Sequence, residues 1–252
     1  MPTRLTICII VLLGCLFAPV AAQAPTPAIP DISLTIGNSG GEVQDVSNSL
    51  QMLFILTVLS LAPAIIMLAT SFSRIVIVLG FTRQALGAQQ IPPNSVLIGL
   101  ALFLTAFTMA PVWTAVDAQA VQPYLAHQLT YKDALTRAMY PIRDFMFRQT
   151  RESDLTLFVE MARIEQPRTR ADIPSWVLVP AFVIGELRTA FTMGFLIFIP
   201  FVVIDLVVAT ILMSMGMMMM PPVLISLPCK IMLFVLIDGW ALIAQSLVHS
   251  FR

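Results

Sequence analysis

Glu186, Arg188, Asp205, Lys230 and Asp238 stand in or beside the most apolar stretches of this 252-residue chain. Among them lies the run MSMGMMMMPP, Met213 to Pro222. Charged groups surrounded by hydrocarbon are costly, so they pair, face a protein interior or line a watery path. There they can carry a proton or fix one helix against another. Helix geometry restricts the pairings. Counted from a turn near Met220 and Pro221, Lys230 lies about 14 Å along its helix, Asp205 and Asp238 about 23 to 26 Å, and Glu186 about 50 Å. Glu186 and Lys230 therefore cannot meet within one straight hairpin. If both are buried, their partners come from another chain or from a folded-back segment. Asp205 and Asp238 reach similar depth with like charge, so they point different ways or one of them binds a proton. Asp205, Lys230 and Asp238 are expected in buried polar contacts, whereas Arg188 is expected to reach the interface by snorkelling.

The methionine run is where the backbone must break, because Gly216, Pro221 and Pro222 prevent a continuous helix. Irregular backbone at membrane depth is tolerated only where protein buries it or where it lines an aqueous cavity. Methionine has three rotatable bonds and a polarizable sulfur, so it adapts to changing shapes. Copies of such a turn around an axis would make a deformable apolar plug. The other reading of Met217, Met218, Met219 and Met220 is gap-filling in a tight turn, and side-chain chemistry does not separate the two.

Enzyme chemistry has no foothold in the chain. There is no GxxxxGK[ST] phosphate loop, and GNSGGE has neither the lysine nor a preceding strand. HExxH and GxSxG are absent, and the two histidines, His127 and His249, are far apart in sequence. No cofactor, metal or nucleic acid is called for.

The elements that must position these residues are apolar helices. The composition is 58% hydrophobic and 11% charged with zero net charge, under half the charge density of a soluble domain. Residues 1–22, with Arg4 before an apolar run, read as a secretory signal peptide cut after Ala22. A lipoprotein signal ending at Cys15 is the competing reading. Either cut removes Cys8, and the simple one leaves Cys229 alone, a small buried apolar side chain with no disulfide partner. Residues 23–49, rich in Pro, Gly, Ser and Asn, are expected as a flexible lead-in that could add an edge strand or order on a partner.

Residues 50–116 are expected to form a first hydrophobic helical hairpin, with spans at Leu50–Phe72 and Ser95–Val116. The joining loop would hold Arg74 and Arg83 and face the cytoplasm by the positive-inside tendency. Residues 117–175 carry sixteen of the twenty-eight charges. The spacing of Leu135, Met139, Ile142 and Met146, and of Leu155, Phe158 and Val159, predicts amphipathic helices. Asp154 or Ser153 would cap the second of them. This segment, like the amino terminus, is expected on the exported, periplasmic side, as a helical subdomain or a plain connector. Residues 176–252 close the chain as a second hydrophobic hairpin turning at the methionines. The expectation is an all-α membrane protein of two long hairpins, four kinked apolar helices, with an amphipathic outer subdomain.

The stretch FVIGELRTAFTMGFLIFIPFVVIDLVVATILMSMGMMMMPPVLISLPCKIMLFVLIDGWALIAQSLV, with SFSRIVIVLGFTRQALGAQQIPPN upstream, closely resembles the FliP family of flagellar biosynthesis proteins. The likeness spans Leu50 to Phe251. It implies a non-enzymatic subunit of the type III export gate, at the flagellar basal body in the cytoplasmic membrane. The implied assembly is a ring, a pentamer, with FliQ and FliR, beside FlhA and FlhB, passing unfolded flagellar proteins. It further implies that Met217 to Met220 form a gasket at the pore constriction, and that Glu186 and Lys230 make an ion pair between subunits. In such a gate the apparent spans pack on partner subunits instead of crossing lipid simply. A proton-coupled transporter using Asp205 and Asp238, and a scaffold that lines no pore, are the alternative functions.

Overall fold

The structure, a computed structural model, describes residues 52–251 apart from Val58, Ala62, Pro63, Ile65, Ile66, Gln89, Gln90, Glu165, Gln166, Arg168, Met218 and Met219. The expected signal peptide (1–22) and lead-in (23–49) lie outside the described residues. So does part of the first expected span, whose described residues over Met52–Leu61 are helical.

Among the described residues the chain is all helix, with no strand. Helix α1 runs Phe72–Ala85, α2 Asn94–Val116, α3 Gln122–Leu125, α4 Tyr131–Gln149, α5 Glu152–Met161, α6 Ser175–Ser214, α7 Val223–Leu236 and α8 Gly239–His249. A π-helical turn at Asp117–Val121 joins α2 to α3, so Asn94–Leu125 is one continuous rod. That rod and the 40-residue α6 are long and apolar enough to cross a membrane. The pair α7 and α8 would make a third crossing, broken by a 63° bend.

The stretch expected as a cytoplasmic loop is α1, and it is the most enclosed helix of the bundle. Ile75, Val78, Leu79 and Thr82 are fully buried, and α1 packs along α6 and against α2. Arg74 misled the sequence reading: an arginine was taken as a mark of solvent, whereas this one is buried with all its donors matched. Arg83 does remain beside the short connection to α2, where its Nη1 donates to Asn94 Oδ1 at 2.5 Å. It alone is left to support the loop's orientation. Gly87, at φ +74° just past the end of α1, takes the left-handed conformation that ends a helix without steric cost.

The charged outer segment shares its core with the long helices. Phe145 and Met146 of α4 and Val159 of α5 bury against Met109 and Val112 of α2 and against Val177, Leu178 and Phe182 at the start of α6. In α4 the expected apolar stripe is half covered: Met146 is buried, while Leu135 and Met139 are exposed. Thr130 caps α4 by accepting from the Asp133 amide. The expected cap of α5 is not made. Asp154 turns inward instead, buried against α6, where Arg188 Nη1 donates to its Oδ1 at 2.9 Å. Arg188, expected to snorkel freely, therefore ties α6 to α5.

A second apolar cluster joins α1, α2, α6, α7 and α8 through Leu79, Ala101, Ala190, Phe201, Phe234 and Leu247. Outward from it, α6 and α7 present Phe195, Leu206, Ile211, Leu224, Met232 and Leu236 to their surroundings. Apolar faces of that extent are satisfied by lipid or by other protein.

Candidate functional site: the methionine turn and its ion-pair supports

Helix α6 ends in a Schellman motif. The Met217 amide donates to the Leu212 carbonyl at 3.1 Å and the Gly216 amide to the Met213 carbonyl at 3.1 Å. Gly216, at φ +77°, occupies the left-handed position this motif requires. On the other side Pro222 is the N-cap of α7, with the Leu224 amide donating to Pro221 O and the Ser226 amide to Pro222 O. The first amides of a helix have no acceptor within it, so prolines there leave no donor unmatched. Glycine closes one helix, proline opens the next, and the methionines fill what lies between.

Met217 is 38% exposed and Met220 39%, and Met213 and Met215 are more open still. Met218 and Met219 lie outside the described residues. The described thioethers of the turn are thus not packed into the core of their own chain.

Two ion pairs brace the helices behind it. Lys230 on α7 is only 7% exposed, and its Nζ donates to Asp205 Oδ2 on α6 at 2.5 Å, with the Ala85 carbonyl at the end of α1 at 3.5 Å. An ammonium beside a helix carboxyl end also meets the negative end of its dipole. The residue count explains why these two meet. Asp205 is about 13 Å before the end of α6 and Lys230 about 10 Å after the start of α7 at 1.5 Å per residue. Counting from Pro221 had set Asp205 too deep. The Asp205 side chain is 42% exposed, so this pair is open on one side.

The other pair is closed. Glu186 on α6 is fully buried and receives Arg74 of α1 in bidentate fashion, Nε donating to Oε2 at 2.8 Å and Nη2 to Oε1. Arg74 Nη2 also donates to Gln149 Oε1 of α4 at 3.2 Å, and Nη1 to the carbonyl and hydroxyl oxygens of Ser250 at 2.9 and 3.0 Å. All five N–H groups of the guanidinium have acceptors, and its carbon lies 3.9 Å above the Phe251 ring centroid.

Within one chain, then, Glu186 and Lys230 are not partners. The folded-back segment α1 supplies the partner of Glu186, and α6 supplies that of Lys230. Asp238 is a correction of another kind. It is exposed in the single chain, in the left-handed conformation (φ 51°) at the break between α7 and α8, and makes no capping bond. A helix break was not foreseen there, although Asp-Gly is turn chemistry. Arg74, Gln149, Ser250 and Phe251 were missed altogether. Arg74 carried a usable signal, since it is the one charge in the apolar run Phe72–Gly80, the same reason Lys230 was noticed.

The sequence profile of the FliP family matches residues 55–247, most of the chain. This chain belongs to the FliP family. It is 53% identical over 213 residues to the flagellar biosynthetic protein FliP of Bacillus subtilis (strain 168), covering 84% of this chain and 96% of that protein. It is 49% identical over 246 residues to that of Caulobacter vibrioides, covering 98% and 90%, and 45% identical over 226 residues to that of Aquifex aeolicus, covering 89% and 92%. The FliP match takes in Arg74, Glu186, Asp205, the methionine turn and Lys230, and stops before Ser250 and Phe251.

Proposed function

We propose that this chain is a subunit of the membrane gate through which flagellar proteins are exported, and that its methionine turn, repeated around a common axis, seals the passage. The export role is supported by the relatives' name, flagellar biosynthetic protein FliP. The sealing role rests on one observation: a turn fixed by a Schellman glycine and two prolines holds Met213, Met215, Met217 and Met220 outward, away from the core of its own chain. Flexible apolar side chains at a constriction oppose water and ions by dewetting and still yield to a passing polypeptide.

The exposed apolar faces of α6 and α7 are the surfaces on which copies of this chain, a pentamer in this reading, would pack with FliQ and FliR. FlhA and FlhB would stand alongside, with unfolded flagellar proteins as the cargo. The gate sits in the cytoplasmic membrane with the segment around α4 and α5 on the periplasmic side. It performs no catalysis of its own.

An ion pair between Glu186 of one copy and Lys230 of the next would form by exchange, each leaving its partner within the chain. Lys230 is the readier to change, because Asp205 is open on one side while Glu186 is enclosed. Proton carriage by Asp205 and Asp238 is the weaker reading, since Asp205 is engaged by Lys230 and Asp238 stands at an exposed helix break.

The test is to replace Met217 to Met220 together by alanine or glycine and measure ion conductance of the assembled complex in a bilayer. A leak with assembly intact supports the seal. Unchanged conductance assigns the chain a scaffolding role instead.

A further inference from the structure

We propose that Arg74 is a positioning residue that clasps the Ser250–Phe251 segment, so that one guanidinium holds both ends of the arm carrying the methionine turn. The arm leaves the bundle along α6 past Glu186, turns at the methionines and returns through α7 and α8 to Ser250. Arg74 binds its outgoing limb through Glu186 and its returning end through the Ser250 carbonyl, the Ser250 hydroxyl and the face of Phe251. Gln149 completes the clasp from the outer segment: its Oε1 accepts from Arg74 Nη2, and its Nε2 donates to the Phe251 carbonyl at 3.2 Å. Phe251 also stacks on Phe145 of α4, with ring centroids 6.3 Å apart.

The chemistry is specific to arginine. A guanidinium presents five donors in a fixed plane, enough for a bidentate carboxylate and three further acceptors, and its faces stack on aromatic rings. Lysine would keep the charge opposite Glu186 but offers three donors on a freely turning head, and could not serve Ser250 and Gln149 as well. The clasp also contrasts with the middle of the returning limb. There the α7–α8 junction bends by 63° at Asp238, and the Lys230–Asp205 pair is open on one side. The returning limb is therefore pinned tightly at its end and loosely along its middle, which lets α7 shift near the turn while α8 stays seated. Of the hydrogen-bonding groups around Arg74, Gln149 alone belongs to the outer segment.

The test is amide hydrogen exchange on the full chain in its assembled complex in lipid nanodiscs, which reads the clasp without reference to conductance. The last turn of a helix ordinarily frays first, so slow exchange over residues 247–251 reports the clasp directly. Arg74→Lys should speed exchange there by about tenfold or more, the worth of a hydrogen bond to a charged group, while peptides of α5 keep their rates. Gln149→Ala should give a smaller rise at the same place. Should Arg74→Lys fail to assemble, Phe251→Ala leaves the Arg74–Glu186 pair in place and should give the same local rise. Unchanged exchange over 247–251 in these variants overturns the proposal. So does an equal acceleration across α5 and α8, which would mean general loosening. A leaking methionine variant with an intact clasp, or the reverse, tells the two proposals apart.

Discussion

The ring of Phe81 on α1 fills the space a side chain on residue 194 would need: a β-carbon built on Gly194 lies 2.5 Å from Phe81 Cδ2, 2.6 Å from Cγ and 3.0 Å from Cβ. Rotating the ring removes the two shortest contacts but leaves Phe81 Cβ at 3.0 Å, tighter than an ordinary contact, so the helix backbones must still give by a few tenths of an ångström. The approach of α1 to α6 thus depends on a missing side chain. Gly194→Ala should force the helices apart and cost about 1–3 kcal/mol, the usual range for overpacking. A fall in the thermal stability of the purified complex, absent in Gly80→Ala, where a β-carbon meets nothing within 4 Å, would show it.

Gly216 is the opposite case. Nothing lies within 4 Å of a β-carbon there, yet its φ is +77°. Gly216→Ala should therefore act through the backbone alone, at about 1–2 kcal/mol, and loosen the Schellman end of α6. Gly216→Asn should be milder, since asparagine tolerates the left-handed region. Equal effects of the two substitutions, read as thermal stability and as ion leak of the complex, would contradict this account.

The two ion pairs should differ in coupling. Arg74→Met leaves a carboxylate fully buried without a partner, a loss of about 3–5 kcal/mol, whereas removing both charges together, Arg74→Met with Glu186→Met, should recover much of it. For Lys230 and Asp205 the same cycle should give a smaller coupling, because the Asp205 side chain is 42% exposed and water screens that side of the pair. Double-mutant cycles on unfolding of the complex in denaturant measure both. A larger coupling for Lys230 and Asp205 would reverse the assignment of firm anchor and loose brace.

Arg188 and Asp154 supply a further check. Arg188→Ala leaves Asp154, whose side chain is almost fully buried, without its salt-bridge partner. It should cost more than Asp154→Asn, which keeps an acceptor without the charge. Protease sensitivity of the segment over α5 is the measure, and resistance of Arg188→Ala would deny the link between α5 and α6.

How far the sequence carried depends on which residue is asked. The helical class, the break at Met213–Pro222 and the burial of Lys230 follow from hydropathy, Gly and Pro, which are local properties. Arg74 shows where local reading stops. Its charge pointed to solvent, and only the meeting of α1, α4, α6 and the end of α8 accounts for its burial. The same holds for Asp154, whose position in the first turn of α5 suits a cap while its partner Arg188 lies on another helix. For Asp205 the polar contact was expected but its partner's depth was not matched, since the depth was counted from Pro221 instead of from the end of α6 set by Gly216.

The central claim is that methionine turns of several copies face one another around a shared passage. The most direct measurement is crosslinking of Met217→Cys, with the native cysteines replaced, in the assembled complex in membranes. Bridges between copies at position 217, accompanied by a block in export, are the predicted result. No bridge at 217, with the introduced thiol reacting instead with a lipid-phase reagent, would contradict it.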